Sequence, residues 1–336
     1  MMLKQKDVHF LFQSFISGIM EVGFVYYLWQ LNYSIIVILI FALLYQATNF
    51  LASFLIADKK IIYLSILIFI ANVLYIILNN TNIYCLGVIF FIVSIFLQIL
   101  RGEAKSSVST FIKRTFRILG FVNFYLFGIK FLLAVAIYVF IMIFKYNELQ
   151  HKAQTIKIKY SNILPSIIMI THQIHYFIYC YILMYFLLQN VDNILLYGFI
   201  FSLGWITYLV SQNIFGNFNI YKNVIIGHLV LSCNIFLLFC VIYFRVNLYI
   251  IWFLWILTGF SAGTVFAIKD ILIIYKHNLS SINFYENIGH VFAVILSLAV
   301  VIATSNIYNT IIISALFALL TAILTYVLYG KNYARN

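Results

Sequence analysis

Charged side chains are what this sequence has least of. Asp, Glu, Lys and Arg together make up 8% of its 336 residues, and only eight of them are acidic. A water-facing surface cannot be built from so few, so an ordinary soluble domain is excluded. Cysteine is also scarce. Cys85, Cys180, Cys233 and Cys240 each fall inside an apolar stretch and none belongs to a C-x-x-C pair, so they are expected to be small buried hydrophobes, outside any disulfide or metal site. There is no Walker sequence, no Rossmann glycine pattern and no metalloprotease His-Glu pair, which excludes ATP hydrolysis by this chain and leaves no cofactor to expect. The alternation of apolar and polar residues that a membrane β-barrel needs is absent as well.

What is present is hydrocarbon. The sequence is 65% hydrophobic, with a mean hydropathy of +1.08. Apolar runs divided by polar breaks predict spans at 9–30, 34–56, 61–79, 83–101, 118–144, 166–189, 193–214, 223–244, 247–268, 283–304 and 308–329. Each is near the ~20 residues that cross ~30 Å of hydrocarbon as a helix. The expected fold is therefore an all-α polytopic membrane protein of eleven or twelve transmembrane helices.

The formal charge of +12 does not point to nucleic acid, because the bases are scattered between spans. They mark orientation instead. Lys4 and Lys6, Lys59 and Lys60, and Arg101 to Arg117 alternate with base-free loops at 31–33 and 79–83, which places the N-terminus in the cytoplasm. In the second half Lys222, the 269–276 loop and the tail mark the same side, and Arg245 alone lies on the other. Eleven spans conflict with this parity, since an odd number before the basic segment 146–162 would put that segment outside. Either 118–144 does not cross simply or part of the linker is embedded.

Laid over the first half at an offset near 160, the second half matches span to span and loop to loop. Asn123-Phe124-Tyr125 meets Asn283-Phe284-Tyr285, followed by Gly128 and Gly289. This predicts two pseudo-symmetric bundles, 1–145 and 163–336, joined by the cytoplasmic linker 146–162, with a cavity between them.

Asn49 to Lys60, NFLASFLIADKK, looks through Ala57-Asp58-Lys59-Lys60 like the loop motif of the major facilitator superfamily, although Phe54 stands where that family has glycine. His9 to Gln30, HFLFQSFISGIMEVGFVYYLWQ, is similar to the first helix of its drug-efflux and siderophore-export branch, where an acidic residue sits at mid-helix as Glu21 does here. The resemblance implies a secondary transporter, working by alternating access and exporting a small molecule. It also implies a cytoplasmic gate at Asp58, Lys59, Lys60 and Arg101.

Ionisable groups inside the spans are costly enough to suggest a partner or a role. They are Glu21, Lys130, His172, His175, His228, Glu286 and His290. Glu21 is either a proton-coupling carboxylate or a packing residue bonded to a neighbouring helix. Glu286 and His290, four apart on one helical face, can share a proton or an ion pair, or serve an interfacial role. Lys130 matches His290 in the repeat, which would favour an anionic or zwitterionic substrate or a pairing with Glu21. His172 and His175 are helical neighbours at the minimum spacing for a shared metal, but no third ligand is evident, so two hydrogen-bonded histidines in a cavity wall are expected, with no metal. The partners expected are a small-molecule substrate, protons and membrane lipid, with the chain a monomer in a bacterial cytoplasmic membrane. A multi-spanning enzyme acting on lipid-linked substrates would need a sizeable outer loop, which the sequence lacks. A non-transporting membrane subunit is the other alternative.

Overall fold

The computed structural model describes residues 5–52, 59–79, 81–100, 110–145, 163–190, single positions between 196 and 214, 219–245, 247–264 and 267–333. Among these every regular element is a helix, joined by short turns, and there is no strand, as suits a chain with no water available to its backbone. Among the described residues, four helical stretches at Thr115–Ile141, Ile220–Tyr243, Ser281–Thr304 and Asn309–Gly330 are long and apolar enough to cross a membrane, the first of them interrupted by a 3-10 turn at Gly128–Lys130, and shorter apolar helices stand at Ile35–Leu51, Ile62–Leu78, Ile83–Leu97 and Leu248–Ala262. The fold is all-α and polytopic, as expected. It divides into two compact units, Met1–Ile156 and Lys157–Asn336.

In the first unit, α1 (Gln5–Gly18) runs through a π-helical turn (Ile19–Gly23) into α2 (Phe24–Gln30). The turn is closed by the Phe24 amide donating to the Ile19 carbonyl, one residue further back than in an α-helix. Then come α3 (Ile35–Ala52), α4 (Lys59–Asn79), α5 (Ile83–Leu100) and α6 (Thr110–Phe127). Phe24 is the hub of the interior, its ring 4.2 Å from Phe90 and 5.0 Å from Phe124 between centroids. Gly18 lies against the Arg117 carbonyl and Gly120 against the Phe15 carbonyl. These reciprocal gaps let α1 and α6 approach backbone to backbone, the small-residue packing that lipid favours. At the ends of the same two helices Lys113 lies over the Phe10 ring, 5.1 Å from its centroid. Burial lowers its pKa and nearby Asp7 works the other way.

The segment 118–144, expected as one span, is broken. Gly128 takes φ 58°, α6 ends, a 3-10 turn (Gly128–Lys130) follows, and α7 (Phe131–Lys145) begins. The left-handed conformation suits a residue without Cβ and stops a helix. On the far side of the break the packing partner changes, since α6 lies on α1 whereas α7 lies on α4.

The second unit contains α8 (Ile163–Asn190), α9 (Ile220–Tyr243), α10 (Leu248–Thr264), α11 (Ile268–Ile274), α12 (Leu279–Thr304) and α13 (Asn309–Tyr333). α13 packs on both α8 and α9. It can do so because Ser314, Ala315, Ala318, Thr321 and Ala322 form a buried small-residue stripe along it. The contact is also bonded: Ser314 Oγ donates to the His175 carbonyl at 2.7 Å, Thr321 Oγ1 to Thr171 Oγ1 at 2.9 Å, and Ser232 Oγ to the Ala315 carbonyl at 2.8 Å. α12 packs on α8 through Gly289, where an added Cβ would lie 2.5 Å from Gln173 Cβ and 2.8 Å from the Ile170 carbonyl.

The glycines that touch the first helix of each unit are therefore Gly120 and Gly289. The Asn-Phe-Tyr register, an offset of 160, instead sets Gly120 against Ser280 and Gly289 against Ile129, and Gly128 is a helix break with open space around it. That register does not describe the packing, and the match of Lys130 to His290 goes with it.

Candidate functional site

Three imidazoles meet inside the second unit. His172 and His175 project from one face of α8, three residues apart, and His228 comes from α9. His172 Nδ1 lies 3.1 Å from His175 Nε2 and 3.0 Å from His228 Nε2. One nitrogen from each ring falls within 4.8 Å of the others. The ring centroids are 5.0 to 5.2 Å apart with interplanar angles of 67° to 82°, so the three rings stand nearly perpendicular around a common centre. His175 and His228 are fully buried and His172 is partly so.

The spacing on α8 supplies two nitrogens; the third arrives from 53 residues along the chain, on His228, an ionisable residue inside a span that no local pattern links to the other two. The expectation of two histidines without a third is corrected on this point. The tautomer of the newcomer follows from its other contact. His228 Nδ1 is 2.8 Å from the Val224 carbonyl, which can only accept, so Nδ1 carries the proton. Neutral His228 therefore presents the Nε2 lone pair to the cluster, the second-contact arrangement that orients metal-binding imidazoles. A tetrahedral ion bound at ~2.0–2.1 Å from each nitrogen needs ligand pairs roughly 3.4 Å apart. The two short pairs would have to open by only a few tenths of an ångström.

Beside the cluster lies a second polar group, strung on Gln173. Its Oε1 accepts from His290 Nε2 at 3.1 Å, and its Nε2 donates to Glu286 Oε1 at 3.5 Å. Lys269 of α11 donates to both oxygens of Glu286, at 3.2 and 3.0 Å. Glu286 and His290 thus sit one turn apart on α12, as the sequence reading placed them, and both meet a residue that reading passed over. The close approach at Gly289 between them is what brings them to α8. An apolar layer of Ile168, Met169, Val224, Ile271, Leu272 and Ile282 packs one turn before Thr171 and His172.

The chain shares its fold with a bacterial homologue of the iron transporter ferroportin. That protein's crystal structure, in an outward-facing state, superposes with a TM-score of 0.62 at 11% sequence identity, over 96% of this chain and 99% of that one. No family model matches the sequence, and no curated protein matches it either. The likeness is one of fold. It agrees with the polytopic all-α layout read from the sequence and gives no support to the drug-efflux or siderophore branch.

The remaining sequence candidates are dispersed. Glu21 falls in the middle of the π-helical turn, with its side chain outside the described residues. Lys130 ends the 3-10 turn and is exposed. Lys59 and Lys60 open α4 with side chains not described, and Asp58 and Arg101 lie outside the described residues, as does the linker 146–162.

Proposed function

We propose that this protein is a secondary transporter that carries a divalent first-row transition-metal ion across the membrane by alternating access, exporting it against protons. The observation that carries the reading is the buried meeting of His172, His175 and His228. Imidazole donors suit ions from Fe2+ to Zn2+ and discriminate against Mg2+ and Ca2+, which take oxygen. Three neutral ligands leave a coordination position open, so cargo can exchange instead of remaining as a structural ion. The fold shared with an iron-transporter homologue supports the same cargo class.

Proton return is assigned to Glu21. A carboxylate at mid-span is costly without a role, and π turns inside α-helices concentrate at functional positions. The export direction rests on the resemblance of the first helix. The distribution of bases supports a cytoplasmic N-terminus in a bacterial cytoplasmic membrane, and the chain is taken to work as a monomer.

The test is metal flux in proteoliposomes that enclose a metal-quenched dye. Co2+ or Zn2+ is expected to enter through the native protein, faster when the lumen is more acidic than the medium so that protons leave as metal enters, and Mg2+ is not. His228→Ala should abolish entry; equal flux in that variant would overturn the cargo site. Glu21→Gln should remove the acceleration by the gradient, and an unaltered response would take Glu21 out of the mechanism.

A further inference from the structure

Resting on that cargo reading, we infer that Glu286 is the counter-charge for a metal ion held by His172, His175 and His228, and that Lys269 is an internal cation occupying Glu286 while the site is empty. The cluster consists of histidines alone, so a bound ion would bring two uncompensated positive charges into the interior of a helical bundle. An isolated charge there is strongly unfavourable unless an opposite charge is near. Glu286 meets that need. It contacts Gln173, the residue that follows His172.

Without cargo the carboxylate is already taken, by Lys269 at 3.0 and 3.2 Å. The two partners differ in their freedom to leave. The Glu286 side chain is 15% exposed and that of Lys269 43% exposed, so the ammonium can swing into water on its long stem while the carboxylate stays. With Lys269 in place, a loaded site would hold a net charge of +2. With Lys269 withdrawn it holds +1, and the empty site is neutral. The lysine therefore competes with cargo for one carboxylate. Gln173 fixes where the exchange happens, because its amide group touches Glu286 and His290 at once.

The two residues must then affect binding in opposite directions, an outcome that a structural role for the ion pair would not produce. The experiment is Co2+ titration of the purified full-length protein in detergent, followed by the visible absorption of the bound ion. Lys269→Gln should tighten binding about tenfold, Glu286→Gln should weaken it about tenfold, and Lys269→Arg should bind like the native protein. In the double variant the gain from Lys269→Gln should vanish, since no carboxylate remains to compete for. Should Lys269→Gln not be recovered folded, Lys269→Met serves the same arm. Native binding lost in His228→Ala, together with Lys269 variants that bind equally or more weakly, would overturn this inference and leave the metal site standing. Failure of the native protein to bind Co2+ at all would remove the cargo reading and this inference with it.

Discussion

At the scale of single residues, the histidine cluster places three polar rings where aliphatic side chains would pack without cost. Each buried ring nitrogen must find a partner, and in the empty site part of that need is met ring to ring, at 3.0 and 3.1 Å from His172 Nδ1. A bound ion would replace those contacts and stabilise the folded chain by mass action, about 2.7 kcal/mol at a concentration one hundred times Kd. Heating the protein in detergent with and without Co2+ should accordingly show a rise in Tm on adding the ion. His228→Leu should abolish that rise while leaving the metal-free Tm near or above the native value, because an apolar side chain then fills a polar site. A variant that still responded to Co2+ as the native chain does would mean that the ion binds elsewhere. His172 and His175 were legible in the sequence from their helical spacing alone. His228 was visible only as one more costly residue in an apolar run, for nothing local to it states which helix it will face.

At the scale of helices, close packing without side chains decides where polar groups meet. Gly289 and Gly128 separate two reasons for a glycine. At Gly289 the backbone is ordinary helix and the constraint is space, since an added methyl would lie 2.5 Å from Gln173 Cβ and 2.8 Å from the Ile170 carbonyl. Gly289→Ala must push α12 away from α8, at a cost of about 1–3 kcal/mol. It should also weaken Co2+ binding, by drawing Glu286 and His290 off Gln173. At Gly128 the space is open and the constraint is φ 58°, so Gly128→Ala should cost about 1–2 kcal/mol of backbone strain and leave Co2+ binding unchanged. Thermal unfolding and metal titration of both variants check the pair. Equal effects on binding would show that the α8–α12 contact does not position the site. Apart from 118–144, and from 193–214, which lies largely outside the described residues, helix positions were readable from hydropathy to within a few residues, because the thickness of hydrocarbon sets their length. The break at Gly128 was not, since a glycine inside an apolar run looks the same whether it packs closely or turns the chain.

At the scale of the whole molecule, the orientation of the chain depends on how 118–144 is counted. The two units share part of their helix pairing. In the second unit α12 packs on the first helix, α8, and α13 on α8 and on α9, the third span in the hydropathy pattern. In the first unit α6 packs on α1, and α7 on α4, which is again the third span. By its packing partner α7 holds the place of a sixth helix, and α6 that of a fifth. Two of these pairings, fifth helix on first and sixth on third, recur in both units, at a spacing other than that of the tripeptide register. Divergent side chains can keep a packing scheme without keeping a spacing. Six segments before the linker return the chain to its starting side, as the distribution of Lys and Arg demands. Single cysteines placed at Lys59 and at Lys152 in a cysteine-free background should then react with an impermeant maleimide from the same face of the membrane. In inverted vesicles both should label, and in intact cells neither should. Labelling from opposite faces would mean that α6 and α7 together cross only once. The charge parity would then fail at the linker, and the assignment of a sixth helix to α7 would fail with it.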